Sequence, residues 1–165
     1  MRSTALCFLL AITLLSCTRS DMTGSEQVAV YVLAAYQPVA NRCEVNATTA
    51  RLSGQPLIGN NDIISYEPAT ARFTLQPGAF ARIKALNDQT AFAVTVDQKA
   101  VYYGFFKPAY SSSSCDHSIT MCIFYQGSVI TMNLGYPGVV AASQVTDERN
   151  SATLLAVLSK QGKTR

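Results

Sequence analysis

Histidine occurs once in the 165 residues, as His117, and tryptophan not at all. A single imidazole leaves any metal centre to be completed by cysteines. The common structural zinc spacing, C-x₂₋₄-C with a second pair elsewhere, is missing around it. Charge is scarce too: 13 Lys and Arg stand against 10 Asp and Glu, scattered, with no basic run interleaved with aromatics. That excludes the electrostatic footprint of a nucleic-acid binder. The chain also lacks an apolar stretch of the roughly 20 residues that a helix needs to span ~30 Å of hydrocarbon. No G-x-S-x-G or related nucleophile turn is present, and no repeat of 20 to 50 residues.

What is present starts with MRSTALCFLLAITLLSCTRSD: one basic residue, Arg2, an apolar run from Ala5 to Leu15, then Ser16-Cys17. This order is that of a secretory signal. Leu14-Leu-Ser-Cys17 resembles the bacterial lipobox, in which the cysteine sulfur receives a diacylglycerol, the peptide is cut before it, and the new amino terminus is acylated. Several acyl chains, each contributing about 0.8 kcal/mol per buried CH₂, make a stable anchor. The expected organisation is a signal at 1–16, a lipidated Cys17 with a flexible tether to residue 26, and one domain over 27–165. Removing the signal takes only Arg2 from the charge balance, which stays near neutral. The nine residues Thr18–Glu26, mostly polar, reach about 30 Å at full stretch, so the domain is expected close to its membrane. Thr18 rather than Asp after the cysteine favours, by resemblance to the sorting rule of enteric bacteria, the outer membrane and its periplasmic side.

Along the domain, Val28–Leu33 reads as a central strand, near-continuously apolar. Residues 37–61 are loop chemistry, rich in Pro, Asn and Gly, with one short strand at 48–52. Ile63–Tyr66 and Arg72–Leu75 read as two strands joined at Glu67-Pro68. Pro77 then opens a helix to Leu86 with Phe80, Ile83 and Leu86 on one stripe. Ala91–Val96 and Lys99–Phe106 form a hairpin around Asp97-Gln98. A second hairpin joins Thr120–Tyr125 to Ser128–Leu134, and a helix covers about 150–160 with Leu154, Val157 and Leu158 buried. This predicts an α+β domain: a mainly antiparallel sheet of about six or seven strands with two helices on one face.

The segments Ile64–Leu86 and Phe92–Val101, with Leu134-Gly-Tyr-Pro137 and Asp147-Glu-Arg-Asn150, resemble a family of small uncharacterised bacterial lipoproteins. Residues 72–101 are also similar to the periplasmic head domain of the SecD export protein, where a strand, a helix and a strand ending Val-Leu-Asp-Gly-Lys follow in the same order. Here Asp97-Gln98-Lys99 replaces Asp-Gly-Lys. The likeness implies fold, and it implies a non-enzymatic binding or scaffold domain rather than a catalyst.

The chemistry-bearing stretch is SSSSCDHSITMC, residues 111–122. In an oxidising compartment structural disulfides are expected. With Cys7 lost and Cys17 lipidated, Cys43, Cys115 and Cys122 remain. The preferred bridge is Cys115–Cys122, whose eight-residue ring is worth about 2.5 kcal/mol. Bridges from Cys43 to either partner, and three free thiols, are the alternatives. A metal held by Cys115, His117 and Cys122 lacks the usual spacing, and neither metal nor cofactor is expected. An envelope hydrolase would use His117 as base, Asp116 to orient it and a Ser or Cys as nucleophile, although neighbours in an extended segment point oppositely. The other candidate is aromatic. Tyr103 and Phe105 share one face of their strand, and with Tyr110 and Tyr136 they would form a surface suited to an envelope protein or a glycan. A purely structural envelope protein would use neither feature.

Overall fold

The computed structural model of the protein describes residues 26–123, 127–138 and 145–165. The signal segment, Cys7, Cys17 and the tether up to residue 25 lie outside the described residues, as do Phe124, Tyr125 and Gln126 of the expected second hairpin.

The elements are β1 (Val28–Ala35), β2 (Arg51–Leu52), β3 (Ile63–Glu67), β4 (Arg72–Leu75), α1 (Pro77–Lys84), β5 (Ala91–Val96), β6 (Lys99–Phe106), β7 (Cys115–Ile123), β8 (Val129–Tyr136) and α2 (Ala152–Lys160). They form one eight-stranded sheet in the order β2-β1-β5-β6-β7-β8-β4-β3. Every neighbouring pair is antiparallel except β6 with β7. The α+β class stands, and two details differ from expectation: the described residues form eight strands, and the sheet is mixed. Sequence pattern reports which residues are half-buried in a strand, not the direction in which the next strand returns.

One face of the sheet carries the main core. Alternate residues point to it: Phe92, Val94 and Val96 from β5, Tyr102 and Phe106 from β6, Ile119, Met121 and Ile123 from β7. Phe80 and Ile83 of α1 and Leu154, Val157 and Leu158 of α2 close it. Pro77 opens α1 and Gln76 provides no side-chain cap, whereas Ser151 caps α2 by accepting from the Leu154 N–H at 3.4 Å. The β5–β6 turn needs left-handed backbone at two positions. It obtains it without glycine, at Asp97 (φ 48°) and Gln98 (φ 62°). The Asp97 carboxylate accepts from the Gln27 N–H at 2.8 Å, tying the turn to the start of β1. At the outer edge, the Tyr66 N–H donates to Lys163 O at 2.7 Å and the Arg165 N–H to Tyr66 O at 3.0 Å, so the chain's last residues cover β3.

Among the described residues, no helix contributes to the cluster on the other face. Leu33, Val45, Ala91, Ala93, Phe105 and Cys115 form a second, smaller cluster, with Tyr36, Cys43, Leu52, Tyr103 and Tyr136 packed around it. Two irregular segments lie over it, residues 36–50 and residues 107–114.

Candidate functional site

The seam between β6 and β7 organises this second face. Parallel strands ordinarily need a crossover of a dozen or more residues, commonly a helix. Here the chain returns through the eight residues 107–114. The two strands pair only over Gly104–Phe106 and Ile119–Met121. They approach so closely there that a Cβ on Gly104 would fall 2.3 Å from the Ile119 carbonyl oxygen and 2.5 Å from the Phe92 ring. Only glycine fits.

Lys107 anchors the crossover. Its side chain is fully buried beside Asp88, which is about one-third exposed. The ammonium has three donors and spends them on Ser113 Oγ at 2.6 Å, Asp88 Oδ1 at 3.3 Å and Ser111 Oγ at 3.3 Å. Ser111 Oγ donates to Asp88 Oδ2 at 2.7 Å, and Gln89 Nε2 donates to Ser113 Oγ at 2.8 Å. The Tyr136 hydroxyl closes the arrangement from β8, 3.0 Å from Ser111 O. Burial pushes the Asp88 carboxyl up, but the hydrogen bonds from Ser111 and Lys107 and the lysine charge outweigh it and leave it below its ordinary value. A buried charge so paired is a fastener for the loop.

The crossover delivers Cys115 to the start of β7, where it is bonded to Cys43 with a Cα–Cα distance of 5.1 Å. The preferred Cys115–Cys122 bridge is thereby corrected. Both residues belong to one extended strand, and seven steps of ~3.3 Å hold their Cα atoms far beyond the 4.4–6.8 Å that a disulfide tolerates. Cys122 is free and buried, its thiol pushed up by burial. The 73-residue ring closed by Cys43–Cys115 is worth about 4 kcal/mol on the chain-entropy argument. It also pins the irregular 36–50 segment over the second cluster.

Where β6 and β7 part company, below their three paired residues, a groove of about 400 Å³ opens. Tyr102, Tyr103, His117, Ser118 and Ile119 line it from the strands, Arg42, Glu44, Val45 and Ala47 from the pinned segment, and Val145 and Thr146 from the approach to α2. Arg42 and Glu44 form an ion pair at 3.6 Å. His117 lies 3.9 Å from Asp116, beyond hydrogen-bonding distance. The Tyr102 hydroxyl is buried and has no hydrogen-bond partner among the described residues. Burial pushes its ionisation well above the ordinary phenol value, so it stays a neutral donor and acceptor.

The four aromatic candidates are dispersed by this arrangement. Phe105 is buried, edge-on to Tyr36 with ring centroids 5.9 Å apart. Tyr103 and Tyr136 are half-buried at the borders of the second cluster. Tyr110, on the crossover, is 74% exposed. Tyr103 reaches the groove and Tyr136 the Lys107 cluster. Sequence reasoning missed Lys107, Asp88 and Gly104. A signal existed for the last: glycine inside a strand pattern marks close backbone approach. A lysine directly after Phe105-Phe106 carries no comparable mark, because its partner Asp88 is distant in sequence. Among the described residues no group of three or more His, Cys, Asp or Glu is placed to hold a metal ion.

Fold and site together define a mixed eight-stranded α+β domain with one helix-covered face and one loop-covered face, the latter opening into a polar groove. Comparison with protein-family models, curated proteins and solved structures returned no match.

Proposed function

We propose that this chain is an envelope lipoprotein, anchored through Cys17 and facing the periplasm from the outer membrane, whose domain acts as a non-catalytic binding or accessory module. The observation that carries the reading is the groove at the β6–β7 split, which gathers hydrogen-bonding side chains from four separate stretches of the chain at an open surface. Convergence of that kind serves recognition. The nearest acid–base and nucleophile candidates have other commitments. The three donors of Lys107 are occupied by Asp88, Ser111 and Ser113, and no hydrogen bond joins His117 to a carboxylate, serine or cysteine among the described residues. This favours binding over the envelope hydrolase built on His117. The anchor rests on the lipobox-like Leu14-Leu-Ser-Cys17 and the polar residues that follow.

Two measurements test the proposal. Metabolic labelling with a palmitate analogue should mark the protein and fail with Cys17→Ala, and unchanged membrane fractionation of that variant would sink the anchor. Crosslinking in intact cells followed by pull-down should return a specific envelope partner or glycan. Turnover of an ester, amide or glycoside that vanishes in His117→Ala would replace binding with hydrolysis.

A further inference from the structure

We infer that Asn46 is an acceptor for an N-linked glycan, transferred to it from a lipid diphosphate-linked oligosaccharide by an envelope oligosaccharyltransferase. This goes beyond the binding-module reading and rests on that reading only for the compartment. Asn46-Ala-Thr48 is the one Asn-x-Ser/Thr in the chain, with alanine at the position where proline forbids transfer. Glu44 stands two residues ahead, which completes the longer bacterial acceptor pattern, acidic-x-Asn-x-Thr. A pattern this short recurs by chance, so its placement in the fold decides.

The triplet lies at the surface. Between β1 and β2 the chain forms a small loop bridged at Pro38 and Val45, in which the Val39 N–H donates to Glu44 O at 2.8 Å and the Asn46 N–H to Gln37 O at 2.9 Å. The triplet begins where that bridging ends. Ala47 and Thr48 are exposed and Asn46 is half-buried. None of the three belongs to a strand or helix, so an enzyme can seat this turn without taking apart the sheet. Glu44 pairs with Arg42 at 3.6 Å, both side chains more than a third exposed. Such a surface pair is weak and leaves the carboxylate open to a cationic partner.

The side-chain chemistry points the same way. A carboxamide nitrogen is a poor nucleophile because its lone pair is delocalised into the carbonyl. Asn46 Oδ1 accepts from the Thr48 N–H at 3.1 Å and from the Thr48 hydroxyl at 2.8 Å, leaving Nδ2 without a hydrogen bond among the described residues. The Asn46 backbone carbonyl is engaged too, by the Thr49 N–H at 3.1 Å and the Thr49 hydroxyl at 2.9 Å. Donation to Oδ1 makes the Nδ2 protons more acidic, and a hydroxyl two residues on is a group able to donate there. In the transfer the bond from Nδ2 to C1 of the first sugar forms and the C1–O bond to the diphosphate breaks. One Nδ2 proton passes to a base of the transferase, and the lipid diphosphate leaves.

The test is transfer in vitro. The full chain, purified in detergent with its disulfide intact, is incubated with a purified single-subunit bacterial oligosaccharyltransferase and its lipid-linked oligosaccharide. Occupancy is read by peptide mass spectrometry, beside a control acceptor peptide that shows the enzyme to be active. The expected result is a glycan mass on the peptide holding Asn46, absent in Asn46→Gln and Thr48→Val and retained in Thr48→Ser. Glu44→Gln, which removes one charged contact, should slow transfer about tenfold. These side chains reach water, and unchanged melting checks the fold of each variant. No glycan on the folded chain while the control peptide is modified overturns the inference. So does transfer seen only after reduction and unfolding, because the loop then fails to present the site, and so does transfer that Thr48→Val leaves intact. The reaction in vitro needs no export. Success there, with Asn46 bare and Cys17 unlabelled in cells holding the same enzyme, removes the envelope reading and leaves the acceptor site; failure there with Cys17 labelled removes the acceptor site alone.

Discussion

The two faces of the sheet are held by different physics. The helix-covered face is secured by apolar area: Phe73, Phe92, Phe106, Met121, Ile130, Met132 and Leu154 are almost wholly buried there, and no single contact dominates. The loop-covered face has a small cluster and compensates with discrete ties, the Cys43–Cys115 bond and the Lys107 fastener. Irregular segments bury too little surface to hold themselves down. The difference teaches how each face can be broken: the face secured by packing yields only as a whole, and the face tied at points yields locally, where a tie is cut.

The largest break is at the seam both faces share. Gly104→Ala should cost about 4 kcal/mol or more, since its Cβ meets backbone at 2.3 Å and backbone cannot rotate away. Equilibrium denaturation measures this, and a loss under 1 kcal/mol would refute the close approach. Next, Cys43→Ala with Cys115→Ala should cost about 4 kcal/mol and act unevenly. Hydrogen exchange should accelerate over residues 36–50 while α2 amides exchange only through global unfolding. Equal acceleration in both would dissolve the contrast. Leu154→Ala, on the packed face, should cost about 3 kcal/mol and do so globally, with no local opening at 36–50.

Lys107→Met is the smaller test. Breaking a buried pair typically costs 3–5 kcal/mol, but Asp88 reaches water, so a loss of about 2 kcal/mol is expected. The same fastener gives a pH signature. The Asp88 carboxyl is held below its ordinary value, so its contribution is complete above the unfolded-state value of about 3.9. It is lost as pH falls through the lower folded value. Protection of the 107–114 amides, referenced to intrinsic exchange at each pH, should therefore fall below about pH 4 in the native sequence, and Lys107→Met should flatten that dependence. A flat profile in the native sequence would place the loop's anchor elsewhere.

Legibility in the sequence follows the same division. The packed face was readable because periodicity is local. The stripe of Leu154, Val157 and Leu158, the Pro77 helix start and the Asp97-Gln98 hairpin all lie where the pattern puts them. The alternation in β6 was readable too, with Tyr102 and Phe106 on one side and Tyr103 and Phe105 on the other. The loop-covered face was not. Its ties join residues 19 apart at Asp88–Lys107 and 72 apart at Cys43–Cys115, and spacing does not disclose such partners. β7 shows the cost most clearly. Four serines open the 111–122 stretch, and the strand runs from Cys115 onward, with Ser118 and Thr120 buried. The Thr120 hydroxyl is satisfied there by Gly135 O at 2.8 Å. Polarity there marks a differently covered face, not exposure.

The Cys43–Cys115 bond also has a consequence for the order of assembly. The ring it closes contains β2 to β6, while β1, β7 and β8 lie outside it. In the sheet the outsiders are inserted among the ring's strands, β1 between β2 and β5, and β7-β8 between β6 and β4. The ring therefore cannot fold as a unit and wait. Its hairpins β3-β4 and β5-β6 pair directly, but they join each other only through β7 and β8, and β2 joins only through β1; such non-local pairing makes for slow folding. A bond formed early would shorten the search for β7 without pairing any of the ring's own strands across the gaps. In kinetic terms the oxidant sets a tempo, and the interleaved sheet still has to be woven by chain diffusion.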